Sequence, residues 1–299
     1  MSDENITQDD IIAKYIEAGK IAAKVRDAAA KKVVIGASLL EVAEFVEKSI
    51  IEYGAQPAFP CNISRNEEAA HNTPLVGDTA IFGEDMVKLD IGAQIDGFIG
   101  DTAITVDLSD NPELVEASRA ALAAAIDILH AGVNTKDIGV AIENTITEFG
   151  FKPVSNLSGH GLACYTTHAP PSIPNIGSLR NGTTIKDGDI FAIEPFATTG
   201  SGIVHDSKVV EIYRVASAKP VRLPAARAIL KEAEAFNNMP FARRWIKTEN
   251  ADMAIMRLFR DKILDSYPVL ADISGSLVSQ AEHTVMVTEN GCKVLTESQ

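Results

Sequence analysis

A chain of 299 residues, 46% of them hydrophobic, carries ample apolar material for one large domain or two smaller ones. Its net charge of −14 excludes stable nucleic acid as a main partner, because phosphate binding needs a basic patch. No apolar run is long enough to span a bilayer. The acidic start MSDENITQDD has no apolar signal core, so a cytoplasmic location is expected. Cys61, Cys164 and Cys292 are odd in number and show neither disulfide-framework nor thiolate-metal spacing.

In chain order, apolar periodicity predicts an amphipathic helix over about Gln8–Lys31. Ser38-Leu-Leu-Glu41 reads as a capping box opening a second helix that ends near Gly54. A loop with short strand follows, punctuated by Pro57, Pro60 and Pro74, with His71 near its end. The stretch VKLDIGAQIDGFIGDTAITVD, from Val87 to Asp107, then reads as a β-hairpin turning at Asp96-Gly97.

In that hairpin Val87, Leu89, Ile91 and Ala93 share one face, and Asp90 lies on the other. A loop centred between Ile95 and Asp96 sets Asp90 opposite Asp101. A two-residue Asp96-Gly97 loop slips the pairing by one diagonal step. Either register leaves both carboxylates on one face. Like charges so close are destabilising in a strand pair, which points to a cation between them.

A third helix is expected after Asn111, with Pro112 in its first turn and His130 in its last, stopping at Gly132. Thr135 is the expected cap of a fourth, ending at Gly150. Two helices followed by strands thus occur twice, which suggests two similar halves around a shared sheet.

The segment NLSGHGLACYTTHAPPSIPN places His160 between two glycines and His168 eight residues on. The strand DIFAIEPF buries Glu194 among apolar neighbours, where a carboxylate needs a partner. Another strand is expected over Val209–Tyr213. Residues 219–276 turn helical in pattern and read as an inserted helical subdomain within a single 1–299 domain. Its basic cluster, Arg243, Arg244 and Lys247, reads as a solvated face. The last strand, SQAEHTVMVTENG, carries Glu282.

Asp90, Asp101, His160, Glu194 and Glu282 are therefore five candidate ligands on or beside predicted strands. Four converging carboxylates need compensation, and two divalent ions match their charge. Oxygen-rich ligation with one imidazole suits Co, Mn, Fe or Zn.

At these residues the chain resembles the methionine aminopeptidases of the pita-bread metallopeptidase fold. The wording KLDIGAQIDGFIGDTA, SGHGL, AIEPFA and EHTV keeps their ligand order Asp, Asp, His, Glu, Glu. The helical insertion between Glu194 and Glu282 is similar to the type II branch, in its short archaeal style. The resemblance runs from about Ile11 to the C-terminus and implies an α+β fold: a pseudo-two-fold antiparallel sheet covered by helices.

It further implies that Asp101 and Glu282 bridge two metals, with Asp90 completing one site and His160 and Glu194 the other. Water activated between the ions would attack the scissile carbonyl, with Glu194 shuttling the proton. His168 would support the tetrahedral intermediate and His71 would lie near the scissile peptide. Phe59, Phe196, His205 and Tyr267 match positions lining the methionine pocket. The implied activity is removal of an N-terminal methionine when the second residue is small, which would make this chain's own Met1-Ser2 a substrate. The expected partners are N-termini of nascent polypeptides, with no membrane and a monomeric enzyme; transient ribosome association is left open. The competing readings are a prolidase or X-Pro aminopeptidase, whose relatives usually carry an N-terminal domain, and a non-catalytic pita-bread binding protein, which typically lacks metal ligands.

Overall fold

In this computed structural model residues 6–177 and 182–298 are described; Met1 and Ser2 lie outside them. Thr7 caps helix α1 (Gln8–Ala30): its hydroxyl accepts the Asp10 N–H while the Asp10 carboxylate accepts the Thr7 N–H. Ser38 caps α2 (Leu39–Glu52) by accepting the Glu41 N–H. Short strands β1 (Gln56–Pro57), β2 (Asn62–Arg65) and β3 (Glu68–Ala70) lead into the hairpin of β4 (Met86–Ile95) and β5 (Phe98–Asp107). Helices α3 (Pro112–Asp127) and α4 (Thr135–Glu148) come next.

They are followed by β6 (Lys152–Pro153), β7 (Ser158–Ala163), β8 (Thr166–Pro174), β9 (Ile190–Ile193), β10 (Phe196–Thr198) and β11 (His205–Val215). The rest of the chain forms α5 (Pro224–Ala233), β12 (Phe241–Ala242), α6 (Ala251–Arg260), β13 (Leu264–Ala271), β14 (Val278–Gln280), β15 (Glu282–Thr288) and β16 (Gly291–Val294).

The main sheet runs β1-β4-β5-β15-β9-β7-β8, with β2 on β4 and β16 on β15, and its pairings are antiparallel. One of its faces is mainly apolar, with Thr102 and His283 as polar exceptions. Val87, Leu89 and Ile91 of β4 pack with Val25, Val46 and Ile50 of α1 and α2. Phe191, Ile193, Val285 and Val287 pack with Leu114, Ile138 and Ile142 of α3 and α4. Each such fully buried side chain contributes about 1.5–3 kcal/mol. At the centre α1 lies so close to β5 that a Cβ on Gly100 would come 2.4 Å from the Gly19 Cα. The two helix pairs thus lie on one face, as the repeated helix–strand order suggests. The opposite face is left for the polar residues.

Of the two hairpin registers left open, the protein uses the two-residue loop: Ile95 pairs with Phe98, and Asp96 and Gly97 both take positive φ, 50° and 88°. Asp90 consequently faces Ala103, and Asp101 faces Gly92. Helix α3 ends at Asp127, so His130 sits in the turn beyond it, its ring nitrogen 2.8 Å from the Ala131 carbonyl. The cap of α4 is Asn134, which accepts the Lys136 N–H, because Thr135 is already helical.

The inserted segment is helical only in part. Its helices occupy 224–260, built around Phe241, Ile255 and Leu258, while residues 264–271 form β13 and pair with β11. The basic cluster is not a solvated face. Arg244 is only 6% exposed and ion-paired to Glu47, Arg243 is bound to Asp252, and Lys247 alone is exposed.

Candidate metal centre

Strand register brings the candidate ligands together. Asn62, Asp90, Ala103 and Glu282 form one row across β2, β4, β5 and β15. Paired residues, and residues two apart, share a face. Asp101, two before Ala103, therefore joins Asp90 and Glu282. His160 pairs with Ala192, and Ala192 with Thr284, two after Glu282. Glu194 follows Ala192 by two and leaves the strand end beside it. All five side chains stand on the face that the helix pairs do not cover.

Distances agree with that parity. The ligating atoms of Asp101, His160 and Glu282 lie within 4.8 Å of one another. His160 Nε2 is 3.6 Å from Glu194 Oε1 and 3.9 Å from Asp101 Oδ2. Asp101, His160 and Glu282 are buried, and Asp90 and Glu194 are partly so. Buried Asp90 Oδ1 and Asp101 Oδ1 have no hydrogen-bond partner, which fits oxygens able to ligate a cation.

The electrostatics carry the same message. Burial pushes the Asp90 carboxyl up to about 7, against donors from Asn62 and Gln280 that pull it down. Burial, followed by neighbouring carboxylates, raises Asp101, Glu194 and Glu282 well above the usual range. Burial and then His168 lower His160 to about 3, so its imidazole is neutral and free to ligate. Acids that resist ionisation without a counter-charge, around a neutral imidazole, fit divalent metal ions.

A cavity of about 190 Å³ opens on the cluster, lined also by Phe59, Phe196, Ile212 and Tyr267. His160 and His168 meet edge to face at 4.4 Å between ring centroids, and Tyr267 meets His71 in the same way at 5.5 Å. Burial and then His168 push His71 down to about 4. His71, His168, Phe59, Phe196 and Tyr267 all line the cavity; His205 does not, being exposed at the start of β11 and paired with Ala271. The glycines beside His160 serve close approach: a Cβ on Gly161 would come 2.1 Å from the Pro170 carbonyl oxygen.

Two supporting residues escaped the sequence reading. The Asn62 amide is 3.4 Å from Asp90 Oδ2, and the Gln280 amide reaches Glu194 at 3.3 Å and Glu282 at 3.4 Å. Gln280 precedes Glu282 by two in chain order, so period-two parity alone could have flagged it. Asn62 gave no such signal, since its neighbour is set by pairing between distant strands.

Residues 13–289 match metallopeptidase family M24. Over 291 residues the chain is 51% identical to a methionine aminopeptidase of Archaeoglobus fulgidus, covering 97% of this chain and 99% of that one. Its fold is similar to a thermophilic Arx1, with a TM-score of 0.86 at 18% identity over 99% of this chain and 92% of that one. It is also similar to the crystal structure of methionine aminopeptidase from Thermotoga maritima, with a TM-score of 0.73 at 24% identity over 98% of both chains. The chain belongs to metallopeptidase family M24, and within it to the methionine aminopeptidases of the pita-bread fold.

Proposed function

We propose that Asp90, Asp101, His160, Glu194 and Glu282 hold two divalent ions drawn from Co, Mn, Fe or Zn, with Asp101 and Glu282 shared between them. The observation that carries this reading is the convergence of four carboxylates and one neutral imidazole on a single sheet face. When bound, the ions supply Lewis acidity and make a water nucleophilic at neutral pH. Glu194 accepts the proton from the attacking water and returns it to the departing amine. His168 donates a hydrogen bond to the substrate carbonyl oxygen as charge develops there. His71, held neutral, contacts the scissile peptide.

Phe59, Phe196 and Tyr267 form the aromatic wall against which an unbranched thioether packs. The second residue passes close to the ligand cluster, so only a small side chain fits. We read 1–299 as one catalytic domain with 219–276 inserted, supported by the separate apolar cluster around Phe241 and Leu258. Its substrates in this reading are N-termini of nascent polypeptides, met in the cytoplasm by a monomer. Ribosome contact would have to use groups other than Arg243 and Arg244, which are engaged internally.

A peptide panel with each metal added in turn tests the reading. Met-Ala-Ser and Met-Ser-Asp should release free methionine, with little release from Met-Leu-Ser and no cleavage of Ala-Pro-Ser. Equal cleavage of the Ala and Leu peptides would refute the small-second-residue rule. Preference for Ala-Pro-Ser would assign the site to X-Pro chemistry.

A further inference from the structure

Arg244 reads in the sequence as one of a solvated basic trio, yet it lies at the centre of a buried polar network. Its guanidinium ion-pairs with Glu47 of α2, donates to Thr73 Oγ1 at 2.7 Å and reaches the Pro74 carbonyl at 3.4 Å. Trp245 Nε1 donates to the other Glu47 oxygen at 2.8 Å. Glu47 also accepts the Cys61 N–H at 3.2 Å, and Thr73 Oγ1 donates to the Cys61 carbonyl at 2.8 Å. Cys61 and Thr73 are 1% exposed, so these bonds form away from competing solvent.

The network grips the segment 58–74 at two points, and that segment supplies one wall of the cavity. Phe59 lies two residues before Cys61 and Asn62 lies one after it. Ala70 and His71 lie just before Thr73, and all four line the cavity. His71 takes a φ of 66°, a left-handed conformation uncommon for a non-glycine residue and kept only where the surroundings impose it. On its other side Ala70 is paired with Leu270.

We infer that the Glu47–Arg244 pair and Thr73 are positioning residues: together they hold the Phe59–His71 wall against the substrate and tie the inserted segment to it. The inference rests on the reading that Phe59 and His71 contact substrate. Because the network touches the wall and not the metal ligands directly, its loss should loosen substrate binding more than it slows chemistry.

The test is the metal-loaded full chain with Thr73→Val, Arg244→Met and their double variant, assayed on Met-Ala-Ser. Each single variant should raise KM by about tenfold, on the scale of a slightly misplaced substrate-orienting group, with kcat within about twofold and metal content unchanged. The double variant should add little to either single, since both cut one network. A wild-type KM in the folded variants, or a fall in kcat alone that tracks the folded fraction, overturns the inference. Thr73→Val keeps the ion pair and nearly the same volume, so it decides the question alone if Arg244→Met does not fold. His71→Ala serves as the reference. If it leaves both constants unchanged, the reading of the wall fails; if it impairs them while Thr73→Val does not, only the positioning role fails.

Discussion

The ring of Phe59 occupies the space where Gly92 lacks a side chain: a Cβ on Gly92 would come 2.3 Å from Phe59 Cε1. Gly92 is also the strand partner of Asp101, so the aromatic wall is seated directly beside a proposed metal-ligand position. Gly92→Ala must displace that ring. The expected outcome is a KM for Met-Ala-Ser raised about tenfold, on the scale of a misplaced substrate-orienting group, with two metal ions still bound. Steady-state kinetics with metal analysis checks it; loss of metal in step with activity would mean that Gly92 serves the ligand cluster instead.

Asp101→Ala removes a carboxylate shared by both proposed ions. Activity should vanish and stoichiometric binding of two ions should be lost. The wild-type protein should melt higher with metal than after chelation, since an ion at 100 times its Kd adds about 2.7 kcal/mol. Calorimetric titration of the variant with Mn or Co checks the stoichiometry. Retention of two ions at wild-type affinity would refute the shared-ligand assignment.

Metal binding should strengthen with pH. The folded Asp90 carboxyl titrates near 7, above its unfolded value of 3.8. In the metal-free protein, stability from the neutral form is complete below the unfolded value and is lost as pH rises through the folded one. The ionised acids that destabilise the empty site are the form that binds metal. The gap in Tm between metal-loaded and chelated protein should therefore widen from about pH 5 to pH 8. His160, titrating at about 3, is neutral across that range and adds no opposing trend. A gap that narrows with pH would contradict the ligand set.

His168→Ala separates chemistry from metal binding. His168 lines the cavity but stands outside the cluster of Asp101, His160 and Glu282. A loss of about 10²–10³ in kcat is expected, the magnitude for one transition-state donor. Metal content should stay at the wild-type level. If metal fell in proportion to activity, His168 would be a ligand.

Much of this architecture follows from local pattern. Period two put Asp90 and Asp101 on one strand face, helical periodicity placed α1, and the Ser38 capping signal placed the start of α2. Those signals survive because side-chain alternation and capping depend only on near neighbours. The hairpin register was legible as two alternatives, and the positive-φ pair Asp96-Gly97 chose between them. What local pattern could not supply is which distant strands lie side by side. Asn62 reaches Asp90 only because β2 pairs with β4, and His160 joins Glu282 only through β9 between them. His205 matched a pocket position by resemblance, yet its place at the exposed start of β11 keeps it off the cavity wall. Arg244 shows the limit most sharply. A run of Arg, Arg and Trp carries no sign of burial, and only the packing of the insertion against α2 supplies Glu47, 197 residues away in the chain, as its partner.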